Sequence, residues 1–441
     1  MKIIVVSRDG SSVPIAHQFL KEGNEVRLFV VKTEYRKDIF DGIIDKIQAL
    51  KDAKGWAEWA YFGENKLVDE WKEVMTWGIP IYGGSEAGQK LEKDRPGAQE
   101  LAKSFGLKVP RSHEAKTVEE VIEFLSKEKG PWVLKFVGGN CDSWDVLLGE
   151  YEDNSDLIRF ARRTGKKSGK KWDAIEVDEF IPGLEVGCAA YFDGEKFAPG
   201  IEINFQNKRI AAGEGGHGVG YLTGEMGTTI RYVTESNKFF KKVLAPLAKH
   251  LKKIGYRGEI DVGTIIAENG DIYFVEFTPR TGYPDCVIRL PLQVTPLSEL
   301  FLAVASGNVT ENEVRGGWSV GVVMVTPGFP VTKWADDASM ALPVERYEEN
   351  KDNCFLFGVK KGEDGIEVCS ASDGYPLVVA DRGPTLESAI RRVYWRLNRS
   401  NPDHVSVPQG QYRDDIGRRV VENREEIIAF DVMTEEEWDA A

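Results

Sequence analysis

The stretch GEIDVGTIIAENGDIYFVEFTPRTG, residues 258–282, places acidic side chains within two otherwise apolar runs. Asn269 and Gly270 separate the runs, and Asn-Gly between apolar segments is the strongest short-range signal for a β-hairpin. The stretch therefore predicts two antiparallel strands that carry charges where a buried sheet would be expected.

The length of the hairpin loop decides where these charges lie. If Asn269 and Gly270 form the whole loop, Asp261 faces Thr278 across the ladder, and Glu276 lies on the same face. Side chains alternate along a strand, so a three-residue loop would place Asp261 on the opposite face from the other two. The two-residue loop is the expectation.

Two carboxylates on one sheet face, Asp261 and Glu276, indicate a cation site. They repel each other and desolvation raises the cost of ionising both, so such a pair usually holds a cation or shares a proton. Oxygen ligands favour Mg²⁺, which takes one or two carboxylates and completes its octahedron with water and nucleotide phosphates. An ATP site fits this pattern. Two solvent-facing carboxylates on an ordinary strand are the alternative.

Composition is typical of a globular protein. The 441 residues, 42% hydrophobic and 29% charged, suggest two to four domains, and no apolar run approaches the roughly 18 residues of a membrane helix. The five cysteines are scattered without metal-ligand spacing, which favours reduced thiols. The N-terminus is interpreted as a strand rather than a secretion signal, so we expect a cytoplasmic protein without a membrane partner.

The net charge of -14 disfavours nonspecific nucleic-acid binding, which depends on Lys and Arg contacts with phosphates. The one dense basic run, residues 166–171, is typical of a solvated loop. We therefore expect small-molecule substrates and no nucleic-acid partner, with the chain a monomer or a homodimer.

The order of elements predicts three regions. Residues 1–109 alternate strands and helices, which indicates an open parallel α/β domain. Residues 110–315 contain the hairpin and a small subdomain at about 110–190. From residue 316, short strands and an amphipathic helix over 385–397 predict a small α+β domain, barrel-like or sandwich-like, with an acidic tail that frays.

Three segments outside the hairpin have features that favour a ligand. Residues 7–12 form a strand-to-helix turn that is either an anion site or a plain connection. Lys135 interrupts an apolar strand, so it needs an anionic partner or a water-facing position. The glycine-rich residues 211–228 predict a mobile loop that closes over phosphates, or a flexible linker.

The order of these elements resembles an ATP-grasp enzyme, and over nearly the whole length it resembles glycinamide ribonucleotide synthetase. The fragments that carry this resemblance lie mostly outside the first domain. They are IYGGSEAGQKLE (81–92), PWVLK (131–135), DEFIPGLE (178–185), NKR (207–209), TGEMGT (223–228), VEFTPRTGYPD (275–285), SVGVVMVTPGFP (319–330) and YRDDIGRRV (412–420).

The resemblance implies roles for residues that bind ATP. Lys135 matches the strand lysine that contacts ATP phosphates, and Glu185 matches the ribose-binding acid. The hinge whose backbone contacts adenine is matched by Asp178, Glu179, Phe180 and Ile181. Arg95 and Arg209 also match cofactor-binding positions.

The resemblance also implies metal and substrate sites. Asp261, Glu276 and Thr278 match the Mg²⁺-binding (or Mn²⁺-binding) strands. Arg280 matches an arginine near the transferred phosphoryl group, where a planar cation stabilises developing charge; an ion pair with Asp285 is the alternative. Gly224, Asp285 and Arg280 match substrate-binding positions, and Arg280 and Lys135 are the catalytic candidates.

Several positions depart from the family pattern. Arg95 stands where the family has a lysine, which Lys93 could supply after a small shift. The glycine-rich loop after Lys135 is altered over residues 137–144, and Thr278 replaces a metal-binding Asn. The first domain lacks the family's Gly-rich turn with Arg-Glu-His and its Gly-Pro-Glu motif.

The resulting prediction is an ATP-grasp carboxylate–amine ligase that forms an amide through an acyl phosphate. Its reaction would join glycine to phosphoribosylamine with ATP and Mg²⁺. The first alternative is a diverged ligase that joins an amino acid to another amine, favoured by the changed first domain. The second is a nucleotide-binding protein without turnover, favoured by the altered 137–144 loop.

Overall fold

The structure is a computed structural model that describes residues 1–31, 38–138, 145–166, 172–214, 218–330, 341–370 and 374–441. Its first sheet is parallel, with strand order β3-β2-β1-β4-β5. The inner strands are buried on both faces, which explains their continuous apolar sequences. The elements are β1 Lys2–Ser7, α1 Val13–Lys21, β2 Glu25–Val30, β3 Asp45–Lys46, β4 Trp59–Phe62, α2 Val68–Met75, β5 Ile81–Gly83, α3 Glu86–Lys93 and α4 Arg95–Ser104.

A four-stranded antiparallel sheet with order β6-β9-β7-β8 follows and has a hydrophobic core of its own. The Thr117 side chain caps its first helix by accepting a hydrogen bond from the Glu120 N–H. The elements are β6 Ser112–Ala115, α5 Val118–Lys127, β7 Trp132–Val137, β8 Val146–Leu148, α6 Ser155–Gly165 and β9 Ala174–Glu179.

The remaining strands build an eight-stranded sheet with order β16-β15-β10-β11-β14-β17-β21-β18, and β12-β13 and β19-β20 form two small hairpins. The strands are β10 Gly183–Phe192, β11 Ile201–Gln206, β12 Arg209–Ala211, β13 Val219–Leu222, β14 Gly227–Val233, β15 Gly258–Ala267, β16 Ile272–Thr278, β17 Trp318–Met324, β18 Cys354–Leu356, β19 Val359–Lys361, β20 Glu367–Cys369 and β21 Leu377–Gly383. The helices are α7 Lys238–Val243, α8 Ala248–Lys253, α9 Asp285–Ile288, α10 Leu297–Ser306, α11 Leu386–Leu397, α12 Arg418–Glu422, α13 Arg424–Ala429 and α14 Glu435–Asp439.

The predicted fold class is confirmed: a parallel α/β unit precedes antiparallel sheets of mixed α/β architecture. The large sheet is continuous across residues 315 and 316, because β14 pairs with β17. One buried core joins the first domain, this sheet and the C-terminal helices. The proposed division at residue 316, and the lid at about 110–190, therefore remain sequence-based boundaries.

The hairpin formed by β15 and β16 has the predicted register but not the predicted loop. Asp261 pairs with Thr278, as expected. The Ala267 N–H donates to Asp271 O, so the loop contains three residues, 268–270. The ladder shifts between Gly263 and Thr264, which leaves Val275 as an extra residue on β16. This bulge compensates for the longer loop and keeps the polar side chains on one face.

Two local predictions are wrong. The described part of the glycine-rich segment 211–228 includes β13 and the end of β12 rather than only a mobile loop. The acidic tail does not fray: it folds into α13 and α14, and Trp438 is buried. Trp318 Nε1 donates to Trp438 O, and an Arg231 guanidinium N–H donates to Ala440 O, so the main core holds the tail.

The described cysteines, Cys188, Cys286, Cys354 and Cys369, are free and buried, in agreement with the prediction of reduced thiols. A search of the described residues finds no helix with the length and apolar character needed to cross a membrane.

Candidate active site

A polar patch covers one face of the large sheet where β10, β11, β15 and β16 meet. Gly187 on β10 lies opposite both Gly263 on β15 and Asn204 on β11. A Cβ atom at Gly187 would lie 2.1 Å from Asn204 Oδ1, so glycine is required for this close approach. The two glycines leave a cavity of about 80 Å³ above the sheet.

The cavity brings together seven of the residues singled out by sequence reasoning, along with several that it missed. Its lining consists of Glu185, Gly187, Gln206, Lys208, Gly224, Glu225, Asp261, Gly263, Glu276, Thr278, Arg280, Gly282, Tyr283 and Asp285. The predicted metal and substrate residues therefore share one site.

Asp261 lies at the centre of the patch and is 7% exposed. Asn204 Nδ2 donates to its Oδ2 over 3.4 Å, and no described residue donates to its Oδ1. Burial, followed by repulsion from Asp285, raises the pKa of Asp261 to about 7. A cation beside this carboxylate would offset both effects.

Glu276 has the opposite electrostatic environment. Burial opposes its ionisation, but Lys208, Arg280, Lys135 and Arg95 together hold the pKa of Glu276 below its usual value. Among the described residues, no three His, Cys, Asp or Glu side chains are grouped so that they could hold a metal ion. A metal on these strands would therefore need further ligands, such as water or phosphate oxygens.

Lys208 is the main cation that sequence reasoning missed. Its Nζ donates to Glu185 Oε1 over 2.6 Å and lies 3.8 Å from Glu276 Oε1. Burial opposes its charge, but Glu185 and Glu276 outweigh this and raise the pKa of Lys208. The residue lies in the matched NKR fragment, so the signal was present one position before Arg209.

Arg209 lies elsewhere. Its guanidinium donates to Gly220 O across the small hairpin of β12 and β13, 2.6 Å away, and it is absent from the cavity lining. Lys208 lies in the connection between β11 and β12, so the course of the chain there decides that only one of the two adjacent cations enters the site.

Arg280 follows β16 and lines the cavity. Its Nε lies 3.5 Å from Glu92 Oε1, so its ion pair joins it to α3 rather than to Asp285. Burial opposes the charge, and Glu92 and Glu276 outweigh it to raise the pKa of Arg280. Sequence reasoning missed Glu92 because the contact spans most of the first two regions.

A second cluster lies on the four-stranded sheet. Lys135 Nζ and an Arg95 guanidinium nitrogen both contact Asp178 Oδ2, at 2.8 and 2.9 Å, and the Ser112 hydroxyl donates to Asp178 Oδ1. Burial opposes ionisation of Asp178, but Lys135 and Arg95 hold its pKa below the usual range. The anionic partner that a strand lysine requires is thus Asp178, which was predicted as part of the hinge.

Some backbone N–H groups of the predicted hinge, residues 178–181, already form hydrogen bonds within the protein. The N–H groups of Glu179 and Phe180 donate to Arg111 O and Pro131 O, and the Glu179 carboxylate accepts from Arg111. The N–H of buried Ile181 donates to no described residue. One donor of this hinge is therefore free to meet a ligand.

Glu225 and Asp285 border the inner end of the cavity. Gln206 Nε2 donates to Asp285 Oδ2 over 3.0 Å, whereas Asp285 Oδ1 and Glu225 Oε1 accept from no described residue. Burial and then repulsion from Asp285 raise the pKa of Glu225, and a hydrogen bond with the Asp285 side chain also favours the protonated form of Glu225. Gly224 beside them has open space where a side chain would lie.

A buried ion-pair network supports the segment that follows Arg280. Arg289 contacts Glu202 and Glu259 at 2.9 and 2.8 Å and donates to the Tyr191 hydroxyl. Glu259 Oε1 also accepts from the Gly282 N–H, which ties the 279–284 segment to β15. No local sequence pattern indicated this network.

The turn at residues 7–12 is occupied by an internal anion. The Glu64 carboxylate accepts from the N–H groups of Arg8 and Ser12 and from the hydroxyls of Ser7 and Ser12. The Ser12 hydroxyl also contacts the Tyr283 hydroxyl at the cavity wall.

Of the predicted loops, residues 139–144 of the altered segment and residues 215–217 lie outside the described residues.

The sequence of the chain is similar to those of known proteins. The family model described as "Phosphoribosylglycinamide synthetase, ATP-grasp (A) domain" matches residues 95–286. A phosphoribosylamine–glycine ligase of Fusobacterium nucleatum subsp. nucleatum is 25% identical over 442 residues, covering 95% of this chain and 98% of that protein.

Solved structures give the same picture of the fold. A phosphoribosylamine–glycine ligase from Thermotoga maritima superposes with a TM-score of 0.69 at 23% identity, covering 94% of this chain and all of that chain. A biotin carboxylase complex from Campylobacter jejuni gives 0.63 at 12% identity, covering 97% of this chain and 96% of that one. The predicted resemblance to the ATP-grasp synthetases is therefore confirmed.

Proposed function

We propose that this chain is an ATP-grasp carbon–nitrogen ligase that activates a carboxylate as an acyl phosphate and transfers it to an amine. The reaction favoured by its relatives joins glycine to phosphoribosylamine, with ATP converted to ADP and phosphate. The observation that carries the proposal is the cavity itself, whose lining combines five carboxylates with Lys208 and Arg280.

ATP would lie between the four-stranded sheet and the large sheet. The free N–H of Ile181 suits the adenine edge, and Glu185 suits the ribose. Lys135 and Arg95 offer positive charge to the phosphates, and they act on Glu276 electrostatically, which supports a shared site. On binding, phosphate oxygens would replace Asp178 as the partner of Lys135.

The residues present fit a divalent cation. Asp261 offers a buried oxygen without a donor among the described residues, and Glu276 lies on the same face. We assign these two carboxylates, with Thr278 as a weaker oxygen ligand, to Mg²⁺ or Mn²⁺. When bound, the cation would neutralise phosphate charge in phosphoryl transfer.

The protein's own side chains would contribute to phosphoryl transfer through their positions and charges. Lys208 and Arg280 both act electrostatically on Glu276, so the transferred phosphoryl group would meet two cations beside this carboxylate. The Glu92 carboxylate restrains Arg280, and the Glu259–Gly282 contact fixes the segment that carries it.

A second candidate is a ligase with a different amine acceptor. It is favoured by the turn at residues 7–12, where Glu64 already occupies the N–H groups of Arg8 and Ser12. A phosphorylated acceptor could not use those donors while the carboxylate remains there. The acid-activating half of the reaction is the same for both candidates.

The test is ADP and phosphate release with glycine and freshly generated phosphoribosylamine, beside an Asp261→Ala/Glu276→Ala variant. Turnover that requires both substrates and is lost in the variant supports the reaction of the relatives. Turnover with glycine and another amine supports the second candidate. Nucleotide binding without turnover on any amine of a broad panel would reject the ligase in favour of a binding protein.

A further inference from the structure

Glu225 is held in place by a short turn rather than by a mobile loop. The Thr223 N–H and hydroxyl both donate to Lys208 O, at 2.7 and 2.8 Å. The Met226 N–H donates to Asn207 O over 2.7 Å. These bonds fix the residues on both sides of Glu225, so its carboxylate is positioned over the sheet.

The carboxylates of Glu225 and Asp285 each have an oxygen that lacks a hydrogen-bond donor within the described parts of the chain. Glu225 is 6% exposed and Asp285 is 2% exposed, and both line the cavity. Buried acceptors without donors are rare, because leaving them unpaired is costly. The two side chains are also within hydrogen-bonding reach of each other, so the pair holds either a shared proton or a ligand that supplies donors.

The charge balance of the cavity favours a positive ligand. Five carboxylates line it, whereas the lining cations are Lys208 and Arg280. Lys208 is paired with Glu185, and Arg280 is paired with Glu92. When no ligand is bound, a proton shared by Glu225 and Asp285 offsets part of this charge, because burial and Asp285 raise the pKa of Glu225. A cationic group would take the place of that proton, whereas an anionic group would add to the negative charge.

A primary ammonium matches these needs better than a second metal ion. An ammonium has three N–H donors, of which two would meet Glu225 and Asp285. The cavity of about 80 Å³ suits a group of this size.

We propose that Glu225 and Asp285 together hold the ammonium group of the substrate amino acid, and that Glu225 determines selectivity for that group. This proposal rests on the proposed function, since the amino acid is the acid that is activated. Gln206 orients Asp285 by donating to its Oδ2 and leaves Oδ1 directed to the ammonium.

The test is calorimetric binding with a non-hydrolysable ATP analogue and Mg²⁺ present. The probes are glycine, L-alanine and β-alanine, with glycolate and N,N-dimethylglycine as analogues that lack a primary ammonium. We expect the best amino acid to bind at least about 100-fold more tightly than glycolate, because a site built for a donor rejects analogues without it.

Glu225→Gln keeps the size of the side chain and removes its charge. We expect it to weaken amino-acid binding at least about tenfold and to leave the affinity for the ATP analogue within about twofold. Glu235→Gln, an exposed glutamate on the next connection, is the matched control and should bind like the unmodified protein. Gln206→Met, which releases Asp285, should weaken amino-acid binding in the same direction.

Two outcomes would reject the proposal that Glu225 and Asp285 bind the ammonium group. One is glycolate binding within about threefold of the best amino acid, and the other is unchanged selectivity in Glu225→Gln. Absence of binding by all three amino acids would also overturn it. Amino-acid binding that depends on Glu225 without ATP turnover would instead reject the ligase and leave the pocket intact, so the two failures are distinguishable.

Discussion

Lys208 and Arg209 show how one position decides function at the scale of a residue. Both belong to the same fragment, yet Lys208 contacts Glu185 and approaches Glu276, whereas Arg209 contacts the backbone of Gly220. The sequence identified the fragment but not which cation enters the cavity, because that depends on the twist of the chain at the end of β11.

Replacing Lys208 with Met should therefore impair catalysis far more than replacing Arg209 with Met. We expect Lys208→Met to lower kcat/KM for ATP at least about 100-fold, since it removes a positive charge beside the phosphoryl group. Arg209→Met should stay within about threefold of the unmodified enzyme. Steady-state kinetics with nucleotide affinity measured in parallel checks both, and a larger loss in Arg209→Met would contradict the site.

Arg280 has a similar dependence on a partner that the sequence did not reveal. Glu92→Gln removes the carboxylate that restrains the Arg280 guanidinium. The positive charges of Arg280 and Lys208 remain beside the proposed phosphate site. We expect kcat to fall about tenfold with little change in the KM for ATP, because orientation rather than binding is lost. A rise in KM at constant kcat would show that Glu92 acts on ATP binding instead.

At the scale of an element, the β15–β16 hairpin was predictable in outcome but not in detail. The Asn-Gly signal and the period-two pattern gave the correct pairing of Asp261 with Thr278. The loop has one residue more than predicted, and the bulge at Val275 compensates for it. The extra loop residue and the bulge each shift the register by one residue, and either one alone would place the acidic residues on the wrong face. Because the two shifts cancel, the alternating pattern of the sequence does not reveal them.

The C-terminal segment forms helices instead of fraying, because single buried apolar residues outweigh its acidic charge. Helix α14 has three acidic residues in its first turn, which stabilise a helix N-terminus, and the Thr434 side chain caps it. Trp438 then packs against Trp318 with ring centroids 4.7 Å apart. The buried tryptophan and the hydrogen bond from Arg231 to Ala440 O hold a segment whose composition suggested that it would fray.

Replacing Trp438 with Ala should lower the free energy of unfolding by about 3 kcal/mol, because it leaves a cavity beside Trp318. Trp395 is the matched control: it is 54% exposed on α11, and its replacement by Ala should cost under about 1 kcal/mol. Urea denaturation followed by circular dichroism measures both. Equal losses would mean that α14 contributes nothing to the core.

At the scale of the whole molecule, the sequence predicted the local elements and their order well. The strand and helix alternation of residues 1–109 and the helix over 385–397 are present in the structure, since both depend on short-range patterns. The sequence did not predict contacts between distant segments, such as Glu64 with the 7–12 turn or Arg289 with Glu202 and Glu259. Those contacts depend on tertiary packing, which hydrophobic periodicity does not encode.

Acid should destabilise the molecule partly through His17 on α1. Burial, followed by the charge of Lys21, lowers the pKa of His17 to about 4 from its usual 6.5. Between these values the unfolded chain binds a proton that the folded chain does not, so stability falls as pH drops through this range, by about 3 kcal/mol at most. Urea titrations at about pH 7.5 and about pH 5 should show a smaller difference in His17→Gln than in the unmodified protein. An unchanged difference would assign the acid sensitivity to other groups.

We propose that the cavity activates a carboxylate by phosphoryl transfer from ATP. The most direct measurement uses glycine with ¹⁸O in its carboxylate, with the released phosphate analysed by mass spectrometry during turnover with the amine. We predict one ¹⁸O atom in each phosphate, because an acyl phosphate passes a carboxylate oxygen to phosphorus when the amine displaces it. Phosphate without ¹⁸O, released at the same rate with or without glycine, would contradict the account.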